Sequence, residues 1–198
     1  MRKFSFLVLA ILMIAAVVSF NGVSAKDGIA VGAKLENFKL ADASGAEKSY
    51  SDLKGKNGAV LIFLSVQCPV VKGYDERIVK LAADYQAKGI NVIGINSNST
   101  ETMEKVGAHA AENYKFPVLI DKGNVLADKL GANVTPETFY FNEKDVLVYH
   151  GAIDNSRAGD NITDNFLRDA LESNLAGKPV AKTSANAFGC TIKRAAKQ

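Results

Sequence analysis

Cysteine is scarce in this chain, with Cys68 and Cys190 as the whole complement, and tryptophan is absent. The two histidines, His109 and His150, stand at no ligand-like spacing from the cysteines, so no Cys/His metal motif is written here. His109 reads as a helix-flank residue and His150 as a strand-end residue. There is no glycine-rich phosphate loop and no Gly-x-Ser-x-Gly elbow. The segment "DNSRAGDN" (154–161) offers acidic and amide oxygens but does not match the calcium-loop pattern, and it reads as a surface loop. Low-complexity tracts and internal repeats are missing as well. These absences exclude most metal, nucleotide and serine-hydrolase chemistry and leave the two thiols as the reactive groups.

Long hydrophobic runs are also lacking, apart from one at the start. Arg2 and Lys3 precede an apolar stretch over residues 4–18, and Val23-Ser24-Ala25 supplies small residues for cleavage. That order is expected of a cleavable signal peptide over residues 1–25, cut after Ala25, and the run is short for a membrane span of about 20 residues. No stable membrane insertion is expected after cleavage, and the mature chain is expected to be periplasmic or secreted. Loss of Arg2 and Lys3 lowers the formal net charge from +3 to +1, so nothing in the charge balance supports nucleic-acid binding. Residues 181–198 hold Lys182, Lys193, Arg194 and Lys197 without an acid, and they read as a solvated, flexible basic tail. Export implies an oxidising compartment, where two cysteines persist as a disulfide. Three Asn-x-Ser/Thr sequons, at Asn98, Asn133 and Asn161, matter only in a host that glycosylates.

Hydrophobic patterning predicts an α/β domain over residues 26–180. "NFKLADASGAEKSYSDL" reads as a hairpin with its turn at 42–45, then a short helix or turn. "AVLIFLS" (59–65) is short and continuously apolar, as in a strand buried on both faces. Val71, Tyr74, Ile78, Leu81, Ala82 and Tyr85 form one helical stripe, ended by Gly89. A second buried strand follows at 90–96, then a helix at 100–114 with Met103, Val106, Ala110 and Tyr114 inward. A third strand spans 116–121, and a short helix at 124–130 closes at Gly131. "ETFYFN" and "VLVYHGAI" make an antiparallel hairpin. Thr163 or Asp164 is expected to cap a last helix with Phe166, Leu167, Ala170, Leu171 and Leu175 inward. Alternating strands and helices imply a parallel portion with right-handed crossovers.

Cys68 stands between the first buried strand and its helix. Proline is favoured at the first helical position, so Pro69 makes Cys68 the N-cap. Unpaired N–H groups of the first turn and the helix dipole favour a thiolate there, the nucleophilic form of cysteine. The competing reading is a structural staple to Cys190. The two are 122 residues apart, and closing such a loop contributes about 5 kcal/mol in the chain-entropy model. Phe188 and Ile192 are the only apolar anchors near Cys190, so its role as resolving thiol, static staple or bystander stays open at this level.

"SVQCP" after a buried strand, the β-α-β-α order and "VTPETFYFN" resemble the thioredoxin superfamily. More narrowly, with "NFKLAD", "KGINVIGINSN", "GKPV" and "GCTIK", residues 30–193 resemble the alkyl hydroperoxide reductase/thiol-specific antioxidant (redoxin) family in its peroxiredoxin-like subgroup. The resemblance implies a thioredoxin-like fold with a mixed central sheet flanked by helices and an N-terminal hairpin extension. It implies Cys68 as catalytic nucleophile and Cys190 as a candidate resolving thiol. Ser65 falls at the place of the peroxide-binding threonine, and Thr135-Pro136 at the turn that packs on the active cysteine and binds substrate backbone. Val71 stands where thioredoxins carry their second cysteine, which excludes an intrahelix dithiol. Leu61 replaces the usual peroxiredoxin proline, and Arg77, Arg157 and Arg168 show no counterpart to the peroxiredoxin arginine. The expectation is a thiol-dependent oxidoreductase acting on peroxide or a protein disulfide and reset by an external thiol reductant. No cofactor is expected. A non-catalytic binding module with a structural Cys68–Cys190 bond is the alternative.

Overall fold

The computed structural model describes residues 28–196, so the expected signal peptide lies outside the described residues. An N-terminal hairpin pairs β1 (Lys39–Asp42) with β2 (Glu47–Ser49) and leads into the one-turn helix α1 (Tyr50–Leu53). Its turn forms because Asp42 Oδ1 accepts the amides of Ser44 and Ala46, while Gly45 takes the positive φ of 85°. The wound portion runs β3 (Ala59–Leu64), α2 (Pro69–Gln86), β4 (Asn91–Asn96), α3 (Met103–Asn113) and β5 (Val118–Ile120). β4 lies parallel to both β3 and β5. A 3-10 turn at Lys122–Asn124, α4 (Val125–Leu130) and β6 (Val134–Thr135) follow. β7 (Glu137–Phe141) and β8 (Leu147–Gly151) form the second hairpin, with β7 antiparallel to β3. α5 (Phe166–Leu175), β9 (Ser184–Ala185) and β10 (Cys190–Thr191) complete the chain. The main sheet is ordered β2-β1-β5-β4-β3-β7-β8-β9, and β10 pairs with β6 outside it.

β3 is buried along its whole length because it separates two cores. Val60, Ile62 and Leu64 face the layer that holds α2, α3 and α5, and the α2 stripe Val71, Tyr74, Ile78, Leu81 and Tyr85 packs there. Leu61 and Phe63 point the other way, against α4 and Leu35. The period-two alternation of a strand explains that division. Gly131 closes α4 in the left-handed region, as its sequence position predicts.

Three expectations are corrected. Met103 opens α3 on its exposed side, whereas Val106 and Tyr114 are buried. α5 begins after Asn165 with no side-chain cap, because Thr163 Oγ1 is bound by Asn155 Nδ2 and itself donates to Asp164. The expected surface loop at 154–161 is rooted in the protein: Asp154 and Ser156 are buried, and Asp154 accepts the Tyr74 hydroxyl at 2.8 Å and pairs with Arg77.

Candidate functional site

Cys68 follows the central strand after a three-residue turn, and Glu101 shapes that turn. Its carboxylate accepts Ser65 Oγ at 2.6 Å, Val66 N at 3.1 Å, Gln67 N at 3.0 Å and Asn96 Nδ2 at 2.6 Å. Four donors on one carboxylate tie the exit of β3 to the exit of β4. Cys68 is the N-cap of α2 in extended conformation, Pro69 occupies the first helical turn, and the Cys68 carbonyl accepts Lys72 N. The residue is 0% exposed.

The Thr135–Pro136 peptide is cis. The Thr135 carbonyl oxygen lies 3.3 Å from Cys68 Sγ. β10 pairs antiparallel with β6 and sets Cys190 directly across from Thr135. Cys68 and Cys190 are joined as a disulfide with Cα atoms 5.8 Å apart, inside the usual range of roughly 4.4–6.8 Å. Gly189 permits the approach: a Cβ there would fall 1.9 Å from the Thr135 carbonyl oxygen. Cys68, Cys190, Thr135 and Pro136 therefore lie together, with Ser65 at the edge of the group and its hydroxyl committed to Glu101.

The segment expected to be a solvated, flexible tail is instead a docked strap. Phe188 sits beside the Tyr74 ring at 6.3 Å and beneath the Arg157 guanidinium at 5.4 Å. Ile192 is 2% exposed and joins the second core. Asn98 Oδ1 accepts Lys193 N, Lys193 O accepts Ser99 N, and Asn124 Oδ1 accepts Ala195 N. Arg194 pairs with Asp128 at 3.1 Å and donates to the Ala132 carbonyl. Charge alone suggested solvation, but these anchors are hydrogen bonds to backbone groups, two apolar side chains and one specific ion pair, none of which net charge reports.

The remaining candidates sit elsewhere. Arg77 is held by Asp154, stacks on Tyr74 at 3.6 Å and bonds the Ser156 carbonyl. Arg168 pairs with Asp84, and Arg157 covers Phe188. Val71 and Leu61 are both buried. His109 lies on α3, edge-on to Tyr114, with Nε2 4.0 Å from Asp75. His150 stacks on Phe139 near the end of β8. Of the sequons, Asn98 is buried, which leaves its amide no room for a glycan in this fold. Glu101 and Gly189 escape sequence reasoning. An acid just before a helix and a glycine in an aperiodic tail carry no local signal of what they touch.

The described fold is of thioredoxin-like architecture, and the family and relative that follow make the chain a thiol-dependent oxidoreductase. Residues 31–150 match the model of the AhpC/TSA family, and the chain belongs to that family. The thiol-disulfide oxidoreductase ResA of Halalkalibacterium halodurans is 29% identical over 144 residues, covering 71% of this chain and 75% of the relative. Two crystal structures superpose with TM-scores of 0.79. One is a hypothetical protein of Sinorhizobium meliloti, 35% identical and covering 86% of this chain and 98% of that one. The other is an uncharacterised conserved protein of Geobacillus kaustophilus, 31% identical and covering 85% and 94%.

Proposed function

We propose that this chain is an exported thiol-disulfide oxidoreductase that cycles between the Cys68–Cys190 disulfide and the dithiol. The observation that carries the reading is the placement of Cys190 across from Thr135, bonded to a cysteine that caps α2. The name of the relative in Halalkalibacterium halodurans points the same way. In the reduced protein the Cys68 thiolate attacks one sulfur of a protein disulfide, and the substrate's other sulfur leaves as a thiolate. Cys190 then attacks Cys68 Sγ, the second substrate thiol leaves, and the intramolecular disulfide closes. Cys68 is fully covered while β10 is docked, so opening of the pair frees β10. A substrate strand then takes its place along Val134–Thr135 and Pro136. An external thiol reductant resets the pair.

Exchange is favoured over peroxide reduction by two observations. The Ser65 hydroxyl already donates to Glu101, and Arg77 and Arg168 are paired with acids. The domain is taken to start at residue 26 and to include β9 and the strap, since β9 completes the main sheet and Ile192 lies in the second core, and export through residues 1–25 takes it to the periplasm or outside the cell. A second reading, a binding module with a static disulfide, draws on the many anchors of the strap.

The test uses the fully reduced protein with a disulfide-bonded peptide and, separately, with hydrogen peroxide, followed by intact mass. Stoichiometric release of peptide thiols with closure of Cys68–Cys190, abolished by Cys68→Ser, is the expected result. A Cys190→Ser protein whose Cys68 stays protonated above pH of about 8.5 and ignores both reagents would remove the enzyme reading.

A further inference from the structure

The two sulfurs of the pair differ in access and in what each becomes on leaving. Cys68 is 0% exposed and is packed within the first core against α2. Cys190 is carried on the two-residue outer strand β10 and is partly exposed. Displacement at a disulfide runs in line, with the incoming thiolate opposite the sulfur that leaves. Attack on Cys68 needs a path to a sulfur whose residue is 0% exposed, while attack on Cys190 needs a path only to the partly exposed residue of the pair. Departure follows the same direction. Cys68 leaves at the N-terminus of an 18-residue helix, where the N–H groups of Val70 and Val71 have no carbonyl one turn earlier to bond. Those groups and the helix dipole receive the new negative charge. Cys190 has no helix behind it. Access and leaving-group stabilisation are independent determinants of which sulfur is attacked, and here they agree.

We infer that reductive resetting of the disulfide enters at Cys190, an assignment that rests on the exchange reading above. The reductant's thiolate attacks Cys190 Sγ and forms the new S–S bond. The Cys68–Cys190 bond breaks, and its electron pair stays on Cys68 as the thiolate. A second thiolate attacks the reductant's sulfur in that mixed disulfide and releases Cys190. The net change oxidises two external thiols to one disulfide and reduces the pair to the dithiol. The oxidising substrate and the reductant thus meet opposite members of the pair.

The experiment treats the oxidised, full mature chain with limiting 2-mercaptoethanol, quenches in acid, alkylates free thiols with N-ethylmaleimide and maps both cysteines by peptide mass. The expected product carries mercaptoethanol on Cys190 and maleimide on Cys68, in at least about tenfold excess over the reverse product. Equal labelling, or mercaptoethanol chiefly on Cys68, overturns the route and leaves the exchange reading standing. A native disulfide that no thiol opens overturns both.

Discussion

Truncating Ile192 tests whether the strap is released when the disulfide opens. Its side chain is 2% exposed in the second core, two residues after Cys190. Ile→Ala changes in cores cost about 2–5 kcal/mol, depending on how far the site collapses. A segment paired outside the main sheet relaxes more readily than a central strand, which places Ile192→Ala at about 2–3 kcal/mol. While the disulfide is intact, Cys190 holds the segment in place and the oxidised fold bears that full loss. If reduction undocks the strap, the reduced fold has already given up the Ile192 contact and loses little. The difference then appears in the redox equilibrium: about 2–3 kcal/mol corresponds to about 30- to 150-fold toward the dithiol, at roughly 1.4 kcal/mol per factor of ten. The assay equilibrates wild type and Ile192→Ala in graded ratios of reduced and oxidised dithiothreitol and scores the dithiol fraction after alkylation. Urea unfolding of both redox forms gives the stability change in parallel. A redox shift below about twofold, with equal destabilisation of both forms, refutes the reasoning, because it means that the strap stays docked without its covalent bond.

Other consequences are as direct. Glu101→Ala removes the acceptor of four donors at the Ser65–Gln67 turn and at Asn96, and is expected to cost about 2–3 kcal/mol in urea unfolding. Gly189→Ala drives a Cβ into the Thr135 carbonyl oxygen, so reoxidation of the reduced protein, followed by thiol loss, is expected to slow at least about tenfold. All six tyrosines are buried and their hydroxyls are pushed up from the ordinary value near 10, first by burial, with Tyr140 reaching about 12. Between pH of about 10 and 12 the unfolded chain sheds tyrosyl protons that the fold retains, so the unfolded state binds fewer protons and stability falls as pH rises. Melting temperatures compared at pH of about 9 and 11 check this; an unchanged value contradicts it.

What the sequence determined by itself was the environment of Cys68. A continuously apolar run written before Cys-Pro, and a 3.6-residue stripe written after it, place this cysteine between a central strand and a helix N-terminus. Each signal acts over a few residues, and the fold inherits it: β3 is buried throughout, Pro69 lies in the first turn, and Val71 to Tyr85 line the core. The strand and helix order from β1 to α5, apart from the two-residue β6, was legible for the same reason. The cap of α5 and the side of α3 that holds Met103 were not, because loop hydrogen bonds and a helix's first turn answer to neighbours outside the local pattern. Only tertiary structure decided where Cys190 goes. A two-residue strand has no periodicity to read, and its pairing with Val134–Thr135 uses backbone atoms common to most residues. The anchors of the strap come from Asn98, Asn124, Asp128 and the Ala132 carbonyl, scattered through the preceding hundred residues. Glu101 likewise reaches a turn thirty-four to thirty-six residues before it. Contacts of that range are made when the sheet closes, and no stretch of the chain announces them.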